Sequence, residues 1–179
     1  LTKHRFHNGL NIFSLAIGFA ACLAIYLFIE DERSFDQHTK SDHIYRLCEV
    51  QSFPGTKVQN VALSMPGMGP TLVADFPEIE KYCRFWRQGK RIWKKDDLTF
   101  PVKDTMLGDS TFLELFDFKM IAGDRGTALD EPYSILITES IAHTIFGHTD
   151  VIGESLEMDE DLFKITGVLA DAPENSHLQ

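Results

Sequence analysis

The chain has 179 residues and a formal net charge of −10 at pH 7, from 27 acidic and 17 basic side chains. Hydrophobic residues make up 44% of it, and 14 residues are Phe, which excludes an intrinsically disordered chain. Three cysteines are too few and too widely spaced for a disulfide framework or a metal knuckle.

The first predicted element is a long apolar helix. Residues 10–29 contain only two polar side chains, Asn11 and Ser14, and the apolar run ends abruptly at Glu30. Twenty helical residues extend about 30 Å, which is the thickness of the hydrocarbon core of a bilayer. Soluble helices normally have one polar face, whereas here every face is apolar. We therefore predict one transmembrane helix over residues 10–29.

An export signal is the alternative for this segment. Lys3 and Arg5 would form its basic region, and the sequence from Phe19 to Cys22 resembles a lipoprotein cleavage site. However, seven more apolar residues, 23–29, follow that position, and the apolar region of a signal is only about 7 to 15 residues long. The longer run favours an uncleaved span.

Basic residues on the short flank before the span predict its orientation. Lys3 and Arg5 precede the helix, and basic flanks remain in the cytoplasm. We expect residues 1–9 to be cytoplasmic and residues 30–179 to form an extracytoplasmic domain. This exterior carries all 27 acidic residues and 15 of the basic ones, so that its net charge is −12.

A basic and aromatic segment interrupts this acidic exterior. Residues 81–95 hold seven basic side chains and no acidic one, interleaved with two Trp, one Tyr and one Phe. The pattern is typical of single-stranded nucleic-acid binding, but no nucleic-acid partner is expected outside the membrane. Two interpretations remain: a solvated helix end and strand whose apolar stems pack on the protein, or a surface for acidic headgroups or an acidic protein.

Hydrophobic periodicity predicts a mixture of strands and helices in the exterior. Period-two patterns and apolar runs predict strands over residues 44–50, 91–95, 98–102, 134–138, 155–159 and 161–170. Helices are predicted from Pro70 until Pro77, over 110–116 with Asp109 as the N-cap, and from Thr138 to Phe146 with Gly147 after its end. This content predicts an α+β extracytoplasmic domain preceded by one transmembrane helix.

The sequence contains no pattern typical of an active site. Gly89-Lys90 lacks the upstream glycine and the Ser or Thr of a phosphate-binding loop, and His143 and His148 are not spaced as a metal pair. We predict no catalytic residue, no cofactor and no metal, and therefore no enzyme. Two alternatives stay open: a divalent metal near His38 and His43, and a disulfide between Cys48 and Cys83 in an oxidising compartment.

Short motifs follow one another along nearly the whole chain, at residues 11–18, 34–38, 44–46, 76–78, 109–112, 115–116, 121–124, 136–140, 146–147, 152–153, 165–168 and 173–177. Their residues include Asn-Ile-Phe-Ser in the span, Ser-Phe-Asp-Gln-His after it, and Pro-Glu-Asn-Ser-His at the last position. In order and spacing they resemble the MacB-like, FtsX-type permeases of ABC transporters, in the long form common in Bacteroidetes-like bacteria. Residues 81–95 lie outside these motifs.

This resemblance implies the first transmembrane helix and the leading part of a periplasmic core domain in the bacterial inner membrane, as a piece of a longer protein. The implied partners are a separate ABC ATPase, the other transmembrane helices of the permease, a second permease copy and a periplasmic adaptor protein. ATP-driven motion would then export or release a substrate. The resemblance also implies structural roles for Phe35, Tyr45, Phe112, Phe116, Gly123 and Gly147.

Two further expectations concern the helix and the function class. Ala16, Ala20 and Ala24 recur every four residues, and such a small-residue ridge is expected to pack against other membrane helices. A membrane-anchored sensor with a ligand-binding ectodomain would show the same topology and remains the alternative function. An anchored hydrolase is disfavoured, because no nucleophile lies within a catalytic pattern.

Overall fold

One long helix, α1, spans Thr2–Arg33 and makes up most of the first of two compact units. The computed structural model describes residues 2–36, 38–173, 175, 176 and 178, with the backbone alone for residues 2–6. The first unit also includes the described residues from Pro173 to Leu178, and the second unit comprises residues 38–172.

The helix α1 contains one candidate membrane span, His7–Arg33, by length and composition. The helix is longer than the predicted residues 10–29, because polar residues on both sides continue its hydrogen bonding. Its large apolar side chains between Leu10 and Ile29 are 46 to 69% exposed. Removing each of them from water is worth about 1.5 to 3 kcal/mol, so this surface favours apolar surroundings such as lipid.

The second unit is an α+β domain, which confirms the predicted fold class. Its helices are α2 (Met68–Asp75), α3 (Phe112–Leu115) and α4 (Glu139–Phe146). Its strands are β1 (Glu49–Gln51), β2 (Gln59–Val61), β3 (Phe85–Lys95), β4 (Leu98–Gly108), β5 (Met120–Gly123), β6 (Ser134–Thr138), β7 (Ser155–Met158) and β8 (Asp161–Leu169). A short 3₁₀ turn lies at Ser41–His43.

Strand β8 is the centre of the main sheet. The antiparallel order is β4-β3-β7-β8-β5, and β6 pairs with β8 in parallel. Ile165 and Val168 of β8 are fully buried, as expected for a strand with neighbours on both edges and helix α4 packed against it. Strands β1 and β2 form a separate two-stranded sheet.

The main core lies between α4 and this sheet. Its buried members come from β3, β6, α4, β7, β8 and the loop after α4: Trp93, Ile137, Ala142, Ile145, Val151, Leu156, Met158, Ile165 and Val168. The Trp93 ring packs edge-on against Phe163 at 5.4 Å, and its indole Nε1 donates to Thr105 Oγ1 at 3.2 Å. The large aromatic side chain therefore fills the core while its polar atom keeps a partner.

Local sequence signals correctly predicted several elements. Thr138 caps α4, where its Oγ1 accepts from the Ile141 amide at 3.4 Å, and Gly147 ends the helix at φ +80°. The hairpin turns at Asp96-Asp97 as predicted, but its strands are longer, because β3 and β4 pair from Phe85 to Gly108.

Other local predictions were wrong. The strand predicted over 44–50 is restricted to its last two residues and Gln51, because only these pair with β2. Asp109 does not cap α3: Thr111 holds the N-cap position, and Arg84 binds the Asp109 carboxylate instead. Strands β2 and β5 were not predicted. Cys48 and Cys83 are free thiols, so the possible disulfide between them is not formed.

Candidate functional site

Four polar residues join the end of α1 to a segment 140 residues later in the chain. We call this group, Ser34, Asp36, Asn175 and Ser176, the helix-end clamp. The Asn175 side-chain amide donates to the Ser34 carbonyl at 2.7 Å and lies 3.2 Å from Ser34 Oγ. The Asp36 amide donates to the Asn175 carbonyl at 3.0 Å. The clamp thus supplies partners to backbone groups that a helix end leaves unpaired.

The backbone at the end of α1 turns sharply at this clamp. Ser34 closes the last turn, because its amide and its hydroxyl both donate to the Asp31 carbonyl, at 3.0 and 2.6 Å. Asp36 then adopts φ +50°, a left-handed conformation that is uncommon outside glycine but is tolerated by Asp. Its bonds to Asn175 and Ser176 stabilise this turn.

Ser176 is the one buried polar side chain among the described residues, with 6% of its surface exposed. Its hydroxyl donates to Asp36 Oδ1 at 3.3 Å and accepts from the Leu178 amide at 3.1 Å. A buried hydroxyl without partners would cost about 1 to 3 kcal/mol, so these bonds matter more than exposed ones. The burial and bonding of Ser176 therefore favour a closed clamp.

Within the described residues, the chain passes between the two units at two places, and both lie close in sequence to the clamp. The chain enters the second unit after Asp36 and returns from it at Pro173. The clamp therefore binds the residues that precede the second unit in the sequence to those that follow it. Residues 173–177 were noted in the sequence only as a motif, and no role was predicted for Asn175 or Ser176.

The first residues of the second unit are fastened to its own interior. The His38 ring lies 5.2 Å from the ring of Phe116 and 5.8 Å from that of Phe118. The Thr39 amide donates to Asp117 Oδ2 at 2.5 Å, and the hydrogen bonds from Thr39 hold the pKa of this carboxyl below its usual value. Movement at residue 38 is therefore resisted by the α3 region.

The last residues of the second unit are fastened in a similar way. Ser140, in the first turn of α4, donates to Asp171 Oδ1 from its hydroxyl at 2.7 Å and from its amide at 3.1 Å. The hydroxyl bond lowers the pKa of Asp171, and an anion at a helix N-terminus is also favoured by the helix dipole. The exit segment is thus held against α4, which packs on the central strands.

The residues singled out in the sequence lie in several different places. Phe112 and Phe116 are each 8% exposed, with ring centroids 5.1 Å apart, and Gly123 and Gly147 have φ of +98° and +80°. Tyr45 is 87% exposed. Phe35 lies in the turn after α1. Helix α1 itself contains Ala16, Ala20 and Ala24, and all three are exposed. The structural and helix-packing roles of these residues stay predictions.

The basic segment 81–95 is largely neutralised within the second unit. Several of its cations have partners: Lys81 with Glu114, Arg84 with Asp109, Arg91 with Asp159, Lys94 with Glu157, and Lys95 over the Phe146 ring. The bond to Glu157 raises the pKa of Lys94. These contacts favour the interpretation of a folded, solvated surface over that of a site for an acidic partner.

A shallow cavity and the titratable groups offer little chemistry. The cavity has about 290 Å³ and is lined by Val73, Glu80, Lys81, Tyr82, Asp109, Ser110 and Thr111. It is small for an organic ligand, since ligand pockets usually measure roughly 300 to 1,000 Å³. Within the described residues, no group of three or more His, Cys, Asp or Glu side chains could hold a metal ion.

Comparison with known proteins gives a match over almost the whole chain. The model of the family described as MacB-like periplasmic core domain matches residues 9–179. No curated protein sequence matches the chain. A crystal structure of a domain of a protein named as a permease, from Porphyromonas gingivalis, is 29% identical, with a TM-score of 0.60, over 69% of this chain and 53% of that one.

A second crystal structure, of the periplasmic region of MacB from Actinobacillus actinomycetemcomitans, is 14% identical with a TM-score of 0.44, over 60% of this chain and 50% of that one. The chain therefore spans about half the length of these solved structures. The family match and the apolar helix α1 together indicate a membrane-anchored chain with an extracytoplasmic domain. The chain belongs to the MacB-like periplasmic core domain family, a permease-type component of ABC transporters.

Proposed function

We propose that the chain is part of the permease subunit of an ABC transporter, which couples the motion of a partner ATPase to export or release of a substrate. The observation that carries this proposal is the family match over residues 9–179, which includes most of the candidate membrane span His7–Arg33. In this proposal, the helix carries motion that arises at the membrane to the domain beyond it.

We further propose that the permease lies in the bacterial inner membrane with its N-terminus in the cytoplasm. Residues 1–9 are the cytoplasmic flank, 10–29 the transmembrane helix and 30–179 the periplasmic core domain. The orientation is supported by Lys3 and Arg5 ahead of the span, since basic flanks remain inside. The acidic side chains from Glu30 onward are then all periplasmic.

In this function the chain contributes positioning rather than chemistry. ATP hydrolysis takes place on a separate ATPase, and the other transmembrane helices, a second permease copy and a periplasmic adaptor protein complete the transporter. Ala16, Ala20 and Ala24 pack against the other helices. Phe35, Tyr45, Phe112, Phe116, Gly123 and Gly147 are structural residues of the core domain and its entry turn.

Purification of the full-length protein tests this function. The full reading frame is expressed with the ATPase encoded beside it, and the permease is isolated through an affinity tag. We expect the ATPase to co-purify, and the permease alone to show no saturable nucleotide binding at micromolar concentration. A protein with one span and a cytosolic signalling domain, or a permease that itself binds ATP tightly, would contradict the proposal.

A further inference from the structure

We propose that Asn175 is a positioning residue that makes the connection between the membrane helix and the periplasmic domain a two-point connection. This inference rests on the function proposed above. It concerns the helix-end clamp, whose four residues all belong to the first unit.

The chain topology provides the first step. A single backbone connection rotates about two soft dihedral angles per residue and transmits torque poorly. Here the chain passes into the second unit after Asp36 and comes back at Pro173, close to Asn175. If Asn175 stays bound to Ser34, the end of α1 acts on the domain through both connections. If it is released, the end of α1 acts on the domain only through the connection after Asp36.

The hydrogen bonds provide the second step. Asn175 bonds to two residues of the clamp. Its side-chain amide donates to the Ser34 carbonyl, and its backbone carbonyl accepts from the Asp36 amide. Ser176, which is buried, adds a bond to the Asp36 carboxylate. The Asn175 side chain binds Ser34, which lies just beyond the last helical residue, Arg33, and 141 residues before Asn175 in the sequence. Its contribution is to hold the later segment in place.

The anchoring within the second unit provides the third step. Thr39 is bound to Asp117 shortly after the entry, and Asp171 is bound to Ser140 shortly before the exit. Two residues, 37 and 38, separate Asp36 from Thr39 in the sequence, and three, 172–174, separate Asp171 from Asn175. In this proposal, displacement of the clamp reaches the α3 region through one connection and α4 through the other.

A thiol reporter tests whether Asn175 keeps the clamp closed. In the full-length permease with its ATPase in nanodiscs, Ser176→Cys places a thiol at a site that is 6% exposed. We expect maleimide to label this thiol at least about tenfold faster when Asn175→Ala is added, since a tenfold change corresponds to about 1.4 kcal/mol of clamp opening. Asn60→Ala, at an exposed position on β2, is the matched control and should leave the rate unchanged. Equal rates with and without Asn175 would overturn the proposal.

A second readout tests coupling. Hydrogen exchange of peptides from residues 134–170 is compared with and without ATP and vanadate. We expect a nucleotide-dependent difference in the wild-type complex and in Asn60→Ala, and its loss in Asn175→Ala while ATP hydrolysis continues. In Ser34→Cys/Asn175→Cys, a short reducible bis-thiosulfonate cross-link should restore the difference, and reduction should abolish it again.

These outcomes separate the two proposals. A wild-type complex that responds to nucleotide, together with an Asn175→Ala complex that responds equally, overturns the role of Asn175 and leaves the transporter function standing. A wild-type complex without any response overturns the transporter function, and the coupling role of Asn175 with it. If Asn175→Ala fails to fold, Asn175→Asp, which keeps the size of the side chain but lacks the amide donor to the Ser34 carbonyl, provides the same comparison.

Discussion

Arg84 and Asp109 form a two-point ion pair at the open end of the β3–β4 hairpin. The guanidinium Nε and Nη2 atoms donate to Oδ2 and Oδ1 of the carboxylate at 2.9 and 2.8 Å. The backbone amides of both residues also take part. The Asp109 amide donates to the Arg84 carbonyl, and the Arg84 amide donates to Asp109 Oδ2. The pair therefore ties the start of β3 to the chain that leaves β4.

Replacement of this carboxylate is expected to destabilise the domain. Asp109→Asn removes the charge and one acceptor, and bidentate bonds to a charged group are stronger than neutral ones, so we expect a lower free energy of unfolding. Urea unfolding of the chain in detergent measures it. Asp97→Asn, in the exposed hairpin turn, should change stability by less than about 0.5 kcal/mol. Equal effects of the two substitutions would contradict the structural role of the pair.

The same carboxylate predicts a loss of stability in acid. The hydrogen bonds from Arg84 lower the pKa of Asp109, and those from Thr39 and Ser140 lower the pKa values of Asp117 and Asp171. A carboxyl group whose pKa is lower in the folded than in the unfolded chain stabilises the fold at any pH above its unfolded pKa, which is about 3.9 for Asp. This stabilisation is lost as the pH falls through the folded pKa. We expect constant urea midpoints from about pH 7 to 5 and a decline below about pH 4. The decline should be weaker in Asp109→Asn, and an unchanged profile in that variant would refute this cause.

Gly123 allows a test of close backbone approach. A Cβ atom there would lie 2.4 Å from the Thr166 carbonyl oxygen and 2.9 Å from Gly167 Cα, and φ is +98°. Gly123→Ala should therefore cost about 2 to 4 kcal/mol through steric overlap and backbone strain. Gly147→Ala is the matched control, because φ is +80° but no atom lies within 4 Å, and it should cost about 1 kcal/mol. A Gly123→Ala variant as stable as Gly147→Ala in urea would disprove the overlap.

The native thiols test the orientation of the chain. Cys48 is exposed, whereas partial burial raises the pKa of the Cys83 thiol. Because the thiolate reacts, a membrane-impermeant maleimide at pH 7 should label Cys48 in intact spheroplasts and the partly buried Cys83 more slowly. Labelling of Cys48 only after lysis would show that the orientation is the reverse.

The alanine ridge of α1 predicts a difference between two substitutions in the span. If Ala16, Ala20 and Ala24 pack against other helices, Ala20→Leu separates the backbones and should reduce co-purification of the ATPase about tenfold, the effect of about 1.4 kcal/mol. Leu23→Ala, predicted to lie off the ridge, should leave co-purification near the wild-type level. Equal co-purification of the ATPase with the two full-length variants would show that the alanine ridge has no role in helix packing.

Several elements could be predicted because their signals are local. Thr138 and Gly147 bound α4 through hydrogen bonds and a left-handed turn that involve only neighbouring residues. In contrast, β5 has no alternating pattern of its own and exists because Met120, Ala122 and Gly123 pair with β8. Asp109 resembled a helix cap in the sequence, but the carboxylate is bound by Arg84, 25 residues earlier. A single sequence does not reveal which distant cation competes for an acid.

The sequence by itself determined the long apolar helix, the α+β class and the family, because length, hydropathy, periodicity and ordered motifs are all read along the chain. Only the tertiary structure decided that Asn175 binds Ser34 and that the basic residues of 81–95 meet acids of the same domain. Such pairs depend on how the sheet brings remote segments together. Hydrogen bonds and ion pairs act over a few ångströms in space, and for residues far apart in the chain the sequence separation does not reveal that distance.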